Sequence, residues 1–273
     1  MNTKFLILTG LAMILPSLFP LFSSAADDKE ARAIMEKVDQ RDDGDNMVAD
    51  MEMTLIDQSA KERVRKMKAF TKDKGEDTLR IMFFLYPLDI KGTGFLTHEY
   101  GEAGKDDDQW LYLPALKRTK RIASADKSDP FMGSDFSYAD MASLELNDYD
   151  FSFFEDQKEI EIQGDKCFII WAHPRNQAVK DKTGYEKVLL FVRQDNDYLI
   201  RAKFWLQNGD YIKFLEVLNL QKIEGVWTAT ELQMKKTKNN VETHRTILKL
   251  FNVHYNQVIN DDMFTERQLE KGL

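Results

Sequence analysis

Apolar residues change their spacing twice along the chain. From Phe5 to Phe22 they are almost continuous, after a short start carrying Lys4. Small residues follow, with Ser24 and Ala26 at positions −3 and −1 before Asp27. A basic end, an apolar middle and a small-residue tail predict a cleaved export signal over residues 1–26. Pro16 and Pro20 interrupt the run, whereas a retained span needs about 20 unbroken apolar residues. Over residues 28–43 the period becomes helical. Ala31, Ile34, Met35 and Val38 fall on one face, predicting an amphipathic helix that ends at Gly44.

Beyond Gly44 the period is two. Ala49, Met51, Met53 and Leu55 alternate with Asp50, Glu52 and Thr54, the pattern of a half-buried strand. Arg63–Thr71 and Thr78–Tyr86 predict further strands, the latter ending at Pro87. From residue 149 onward apolar runs and turn signals alternate at short intervals. Phe151–Phe154 leads into Glu159–Gln163, Cys167–Ala172, Lys187–Arg193, Leu199–Leu206, Tyr211–Leu220, Val226–Met234 and Thr243–Val253. Asn208-Gly209 is the strongest hairpin signal, since a type I′ turn needs positive φ at both residues. A helix and about ten strands in one series predict a mainly β fold with helices (α+β). Its form is a curved antiparallel sheet or incomplete barrel, in a single domain over residues 27–273. Residues 123–142 show neither period. Phe131, Met132, Phe136 and Tyr138 within them need somewhere to pack, which predicts a covering loop.

Composition narrows the function. The formal charge is −8, and without Lys4 of the signal it falls near −8 − 1 = −9, which argues against a nucleic-acid partner. Cys167 is the only cysteine, so no intrachain disulfide forms and a packed core must supply stability. Asp27-Asp28 follows the cleavage site in place of a lipid-bearing cysteine, which predicts an unlipidated periplasmic protein.

Catalytic, metal and cofactor motifs fit poorly. Gly92-Thr-Gly94 has Thr97 where a dinucleotide fingerprint needs glycine, and His98-Glu99 is followed by Glu102 in place of a second metal-binding His. Asp39 to Asp50 approximates a calcium loop but carries Arg41 at a ligand position and ends in Asp. No acid/base pair is readable, so no catalytic residue, metal or cofactor is expected.

Two features remain. Lys117, Arg118, Lys120 and Arg121 form a basic run, read either as a solvated edge strand or as a contact for a headgroup or an acidic partner. The chain also holds 18 Phe and 12 Met, and methionine suits surfaces that accept varied apolar shapes. Met51, Met53, Met67 and Met82 lie on the early strands with Phe70 and Phe84.

Three stretches carry a resemblance. Leu88-Asp-Ile-Lys-Gly-Thr-Gly-Phe-Leu-Thr97, Asp107-Asp-Gln-Trp-Leu-Tyr-Leu-Pro-Ala-Leu116 and Phe131-Met-Gly-Ser-Asp-Phe-Ser-Tyr-Ala-Asp140 resemble the outer-membrane lipoprotein-sorting protein family, the LolA-like periplasmic carriers. The resemblance implies an incomplete antiparallel barrel whose helices and loop close a hydrophobic cavity for acylated cargo. It also implies an inner-membrane transporter of the RND type as donor and an outer-membrane acceptor. On that reading the early strands line the cavity and the N-terminal helix forms part of a lid. Trp110, Tyr112 and Phe131, Met132, Phe136 and Tyr138 shape the mouth. The alternative is an accessory that docks on the transporter and carries nothing.

Overall fold

The computed structural model describes residues 27–273 apart from Ala103, Asp156 and Asn208; the predicted export signal lies outside the described residues. Helix α1 spans Lys29–Asp39, and the Asp28 carboxylate accepts from the backbone N–H groups of Glu30 and Ala31 at its start. The helix stops short of Gly44. The Asp42 carboxylate accepts the Gly44 N–H at 3.1 Å, a local turn that competes with helix. Gly44 instead sits at φ +80°, where a Cβ would lie 2.6 Å from the Tyr255 ring.

Strands then follow: β1 Asn46–Asp57, β2 Glu62–Lys74, β3 Asp77–Tyr86, β4 Gly94–Glu99, β5 Asp108–Leu113 and β6 Arg118–Arg121. After a long irregular stretch come β7 Tyr149–Phe153, β8 Glu159–Ile162 and β9 Asp165–Pro174. Helix α2, Gln177–Thr183, leads to β10 Tyr185–Arg193, β11 Leu199–Leu206, β12 Tyr211–Ile223, β13 Val226–Lys238 and β14 Val241–Tyr255; α3, Glu266–Lys271, closes the chain. Asn208 lies outside the described residues, but Trp205 pairs with Ile212 and Gly209 has φ +69°, which centres that reversal on the predicted turn.

The strands form one antiparallel 14-stranded sheet in the order β6-β5-β4-β3-β2-β1-β14-β13-β12-β11-β10-β9-β7, with β8 paired to β9. This is a meander whose break lies mid-chain. First and last strands pair, Met53 opposite Leu248, so the open edges are β6 on one side and β7 with β8 on the other. The residues joining those edges include the stretch predicted as a covering loop. The sheet curves round it: Asp135 reaches Thr246 on β14, Asp140 reaches Tyr185 on β10, and Gln109 on β5 reaches the Tyr138 carbonyl. An open, curved antiparallel sheet with few helices is the architecture expected from the period-two pattern.

Alternation along each strand sorts side chains into two faces. On the concave face Met53, Met67, Phe84 and Phe95 are at most 1% exposed. Helix α1 inserts Ala31, Ile34 and Met35 among Tyr149, Phe151, Val188 and Leu190 at the β7–β11 half. On the convex face Leu79, Ile81, Phe83 and Leu96 are covered by Phe264 and Leu269 of the C-terminal segment. Each large apolar side chain buried this way contributes about 1.5–3 kcal/mol. Cys167 is buried, and desolvation raises its thiol to about 11, so it packs as a small apolar group.

Candidate functional site

The predicted apolar residues divide by strand parity. Met53, Met67, Met82, Phe84, Phe131 and Phe136 are buried in one cluster, with Met51, Met132 and Tyr138 packed against it. Phe70, Trp110 and Tyr112 are not among them; they pack on the convex face with Ile259, Met263 and Phe264. The reason is a one-residue offset. On β5 the concave positions fall to Gln109, Leu111 and Leu113, which sends Trp110 and Tyr112 the other way.

Segment 131–141 fills the concave face over the early strands. Phe131 is fully buried, with its ring centroid 5.0 Å from Phe95, 5.5 Å from Tyr138 and 6.1 Å from Phe84. Met132 adopts φ +49°, turning the chain so that Phe131 and Phe136 both point inward.

Polar contacts hold this segment to the sheet. The buried Asp135 carboxylate meets His244 Nδ1 at 2.6 Å and accepts from Thr246 Oγ1 at 2.8 Å. The Asp135 N–H donates back to Thr246 Oγ1 at 3.0 Å. Five residues on, Asp140 accepts from the Tyr185 hydroxyl at 2.7 Å and lies 3.5 Å from Lys213 Nζ, with both side chains of the ion pair about nine-tenths buried. Burial first, and then the Asp140 charge, push the Tyr185 phenol well above its ordinary value, so it stays a donor. A third contact lies just beyond: Glu99, paired with Arg80, accepts from the Ser143 N–H at 2.9 Å. Sequence reasoning missed all of these contacts, because their partners lie on strands far away in the chain.

Beside the filled half, towards the late strands, lies a cavity of about 220 Å³. Its apolar wall comes from the late strands, with Val188, Leu190, Phe204, Leu215 and Met234, and from Phe136. Asp107, Gln109, Lys127, Glu145 and Lys182 line its polar end. Lys127 is buried and donates to the Asp107 carbonyl at 2.7 Å. Desolvation, reinforced by Asp107 and Asp148, pushes Glu145 up to about 7. Its ionisation therefore opposes folding: the contribution is fully favourable below the ordinary 4.5 and is lost as pH rises through about 7. At this half-buried site solvent screening keeps the effect to about 1 kcal/mol. Glu145→Gln should exceed the parent by that amount at pH ~8 and match it near pH ~4. Denaturant melts at the two pH values check this, and equal stability at both contradicts it.

The basic run also divides. Lys120 pairs with Asp126 at 3.2 Å and Arg121 pairs with Asp108. Lys117 and Arg118 are exposed, without ion-pair partners among the described residues. No helix among the described residues is long and apolar enough to cross a membrane.

A family model described as "-like: Uncharacterized protein" matches residues 76–271. The fold is similar to that of a DUF1329 family protein from Desulfovibrio piger, at 27% identity and a TM-score of 0.80, covering 89% of this chain and 99% of that one. It is also similar to a domain from Vibrio parahaemolyticus described as an outer membrane lipoprotein-sorting protein. That match has 29% identity and a TM-score of 0.78, covering 88% of this chain and 98% of the other. The chain belongs to the family whose model matches residues 76–271, and its fold is LolA-like. A LolA superfamily protein from Nitrosomonas europaea shares the fold at 20% identity and a TM-score of 0.66, over 87% and 98% of the two chains. No curated protein matches the sequence. Within this fold the concave face holds the cluster around Phe131 and the adjoining cavity.

Proposed function

We propose that this LolA-like protein is an exported, unlipidated periplasmic carrier. It takes the acyl chains of a lipoprotein or lipid against the concave face of its sheet and moves them toward the outer membrane. The observation that carries this reading is the construction of segment 131–141. Its apolar side chains lie deep in the sheet, yet the strands beneath it are already hydrogen-bonded to one another. The segment can therefore leave without breaking the ladder.

Energy fits the same reading, and size requires the segment to move. The cavity of about 220 Å³ is smaller than the roughly 300–1,000 Å³ of typical ligand pockets. An acyl chain enters when Phe131 and Phe136 withdraw and the chain replaces them against Met53, Met67, Met82 and Phe84. Each buried methylene gains about 0.8 kcal/mol, so a chain of about 16 carbons gains up to ~12 kcal/mol before entropy costs. Helix α1 and segment 131–141 act as the cover. The family resemblance supports an inner-membrane transporter of the RND type as donor and an outer-membrane component as acceptor.

One observation favours a second reading. The interior over the early strands is filled by side chains, as suits an accessory that docks on a transporter and carries nothing. Mass spectrometry of lipid extracted from protein purified out of its native periplasm distinguishes the two. The carrier yields bound acylated species and binds a fluorescent fatty acid. Absence of both supports the accessory and removes the carrier.

A further inference from the structure

One end of the curved sheet exposes apolar side chains inside a basic rim. Four neighbouring reversals meet there: β1–β2, β3–β4, β5–β6 and β13–β14 join strands that are adjacent in the sheet. The β3–β4 and β5–β6 loops touch, since a Cβ on Gly92 would lie 3.7 Å from the Pro114 ring. Leu88 is 83% exposed, Leu116 67%, Val241 58% and Tyr86 51%. These are four of the most exposed large apolar residues among those described, and they all sit on these reversals. The remainder of the exposed apolar set, apart from the adjacent Leu85, lies elsewhere at Leu218, Phe251, Val258 and Leu273.

Charge is divided along the same axis. Lys61, Arg63, Lys91, Lys117 and Arg118 are exposed around the apolar tips, with no ion-pair partner among the described residues. Asp57, Glu62, Asp89 and Glu242 share these reversals and Glu242 pairs with Arg245, so among the described residues the unpaired cations outnumber the unpaired acids there, on a chain of net charge −8. Beneath the rim, Arg65 buries Nη1 without a partner, and burial first, then Arg63, lower its guanidinium against the opposing charge of Asp89. At the opposite end Asp39, Asp43, Asp73, Glu76 and Asp77 line a polar cleft of about 420 Å³.

We propose that the end bearing Tyr86, Leu88, Leu116 and Val241 docks on an anionic lipid surface, with the Lys and Arg rim among the headgroups and the apolar tips in the acyl boundary. Each half of the feature needs the other. Cations near an anionic surface attract it within a Debye length, and exposed apolar tips gain by leaving water. Protruding leucines among cations match a bilayer interface better than a protein groove, because the tips stand on separate loops. The acidic end faces away, which sets the orientation of the docked molecule. This inference is independent of whether the concave face carries an acyl chain.

Co-sedimentation of the signal-free chain with phosphatidylcholine vesicles containing about a quarter phosphatidylglycerol tests it. Binding is expected to these vesicles, and to be at least about tenfold weaker to phosphatidylcholine alone or in ~0.5 M salt. Leu88→Ser with Leu116→Ser should weaken it by about tenfold or more, and Lys117→Glu with Arg118→Glu by about a hundredfold. All four residues are exposed, so parent-like thermal melts are expected for both variants. Failure to bind the anionic vesicles overturns the proposal, as does binding that both variants leave intact. If polyglutamate is bound while the vesicles are not, the face meets an acidic protein and the lipid inference falls.

Discussion

Replacing Phe131 with alanine is expected to lower stability and tighten ligand binding together. The ring is fully buried against Phe84, Phe95 and Tyr138, and Phe→Ala at such sites costs about 3–5 kcal/mol. Phe131 belongs to the joining segment, however, and not to the hydrogen-bonded sheet. Much of that loss is therefore a loss of attachment of segment 131–141. If the segment occupies the place of the acyl chain, weakening it removes a competitor. A fluorescent fatty acid should then bind about tenfold more tightly, since about 1.4 kcal/mol of released competition is tenfold in affinity. A fall in stability with unchanged or weaker binding would show that the Phe131 site is ordinary core.

Breaking the Asp140–Lys213 pair is expected to cost about as much, by a different mechanism. Lys213 is 7% exposed, and Asp140 accepts from Tyr185 while lying 3.5 Å from Lys213 Nζ. Asp140→Ala leaves an ammonium buried without its counter-charge and a phenol without its acceptor. Removal of one partner of a buried pair costs about 3–5 kcal/mol, whereas replacing both can be close to neutral. Asp140→Ala should therefore lose about 3 kcal/mol or more, and adding Lys213→Met should recover over half of it. Urea melts of the single and double variants read this directly. A single variant within about 1 kcal/mol of the parent means that the contact does not hold the segment.

Much of the fold was legible because period-two alternation and tight turns are local signals. The strands from Leu199 to Tyr255, and the reversal centred on Asn208-Gly209, follow from neighbours in sequence. That Phe131, Met132, Phe136 and Tyr138 pack against the sheet was legible as well, from aromatic residues in a stretch without period. Strand parity was not. Phe70, Trp110 and Tyr112 are as apolar as Met67 and Leu111, and only pairing and the C-terminal segment decide which face is concave. The short strands β4 and β5 escaped, since Gly94–Glu99 is buried along nearly its whole length and shows no alternation, whereas β6 is the edge strand that one reading of the basic run gave. Least legible were the polar contacts. Asp135 and Thr246 lie 111 residues apart, and nothing local marks an aspartate as one that fastens a loop to a distant strand.

Hydrogen exchange across residues 129–141, with and without an acyl ligand, tests the central claim most directly. In the unliganded protein the Asp135 N–H donates to Thr246 Oγ1, and the Phe131 N–H donates to the Phe136 carbonyl at 2.7 Å. Displacement of the segment by an acyl chain predicts faster exchange at Asp135 and Phe131 on ligand binding, with β1, β2 and β14 unchanged. Slower or unaltered exchange at those amides under saturating ligand contradicts it, and segment 131–141 is then a fixed part of the core.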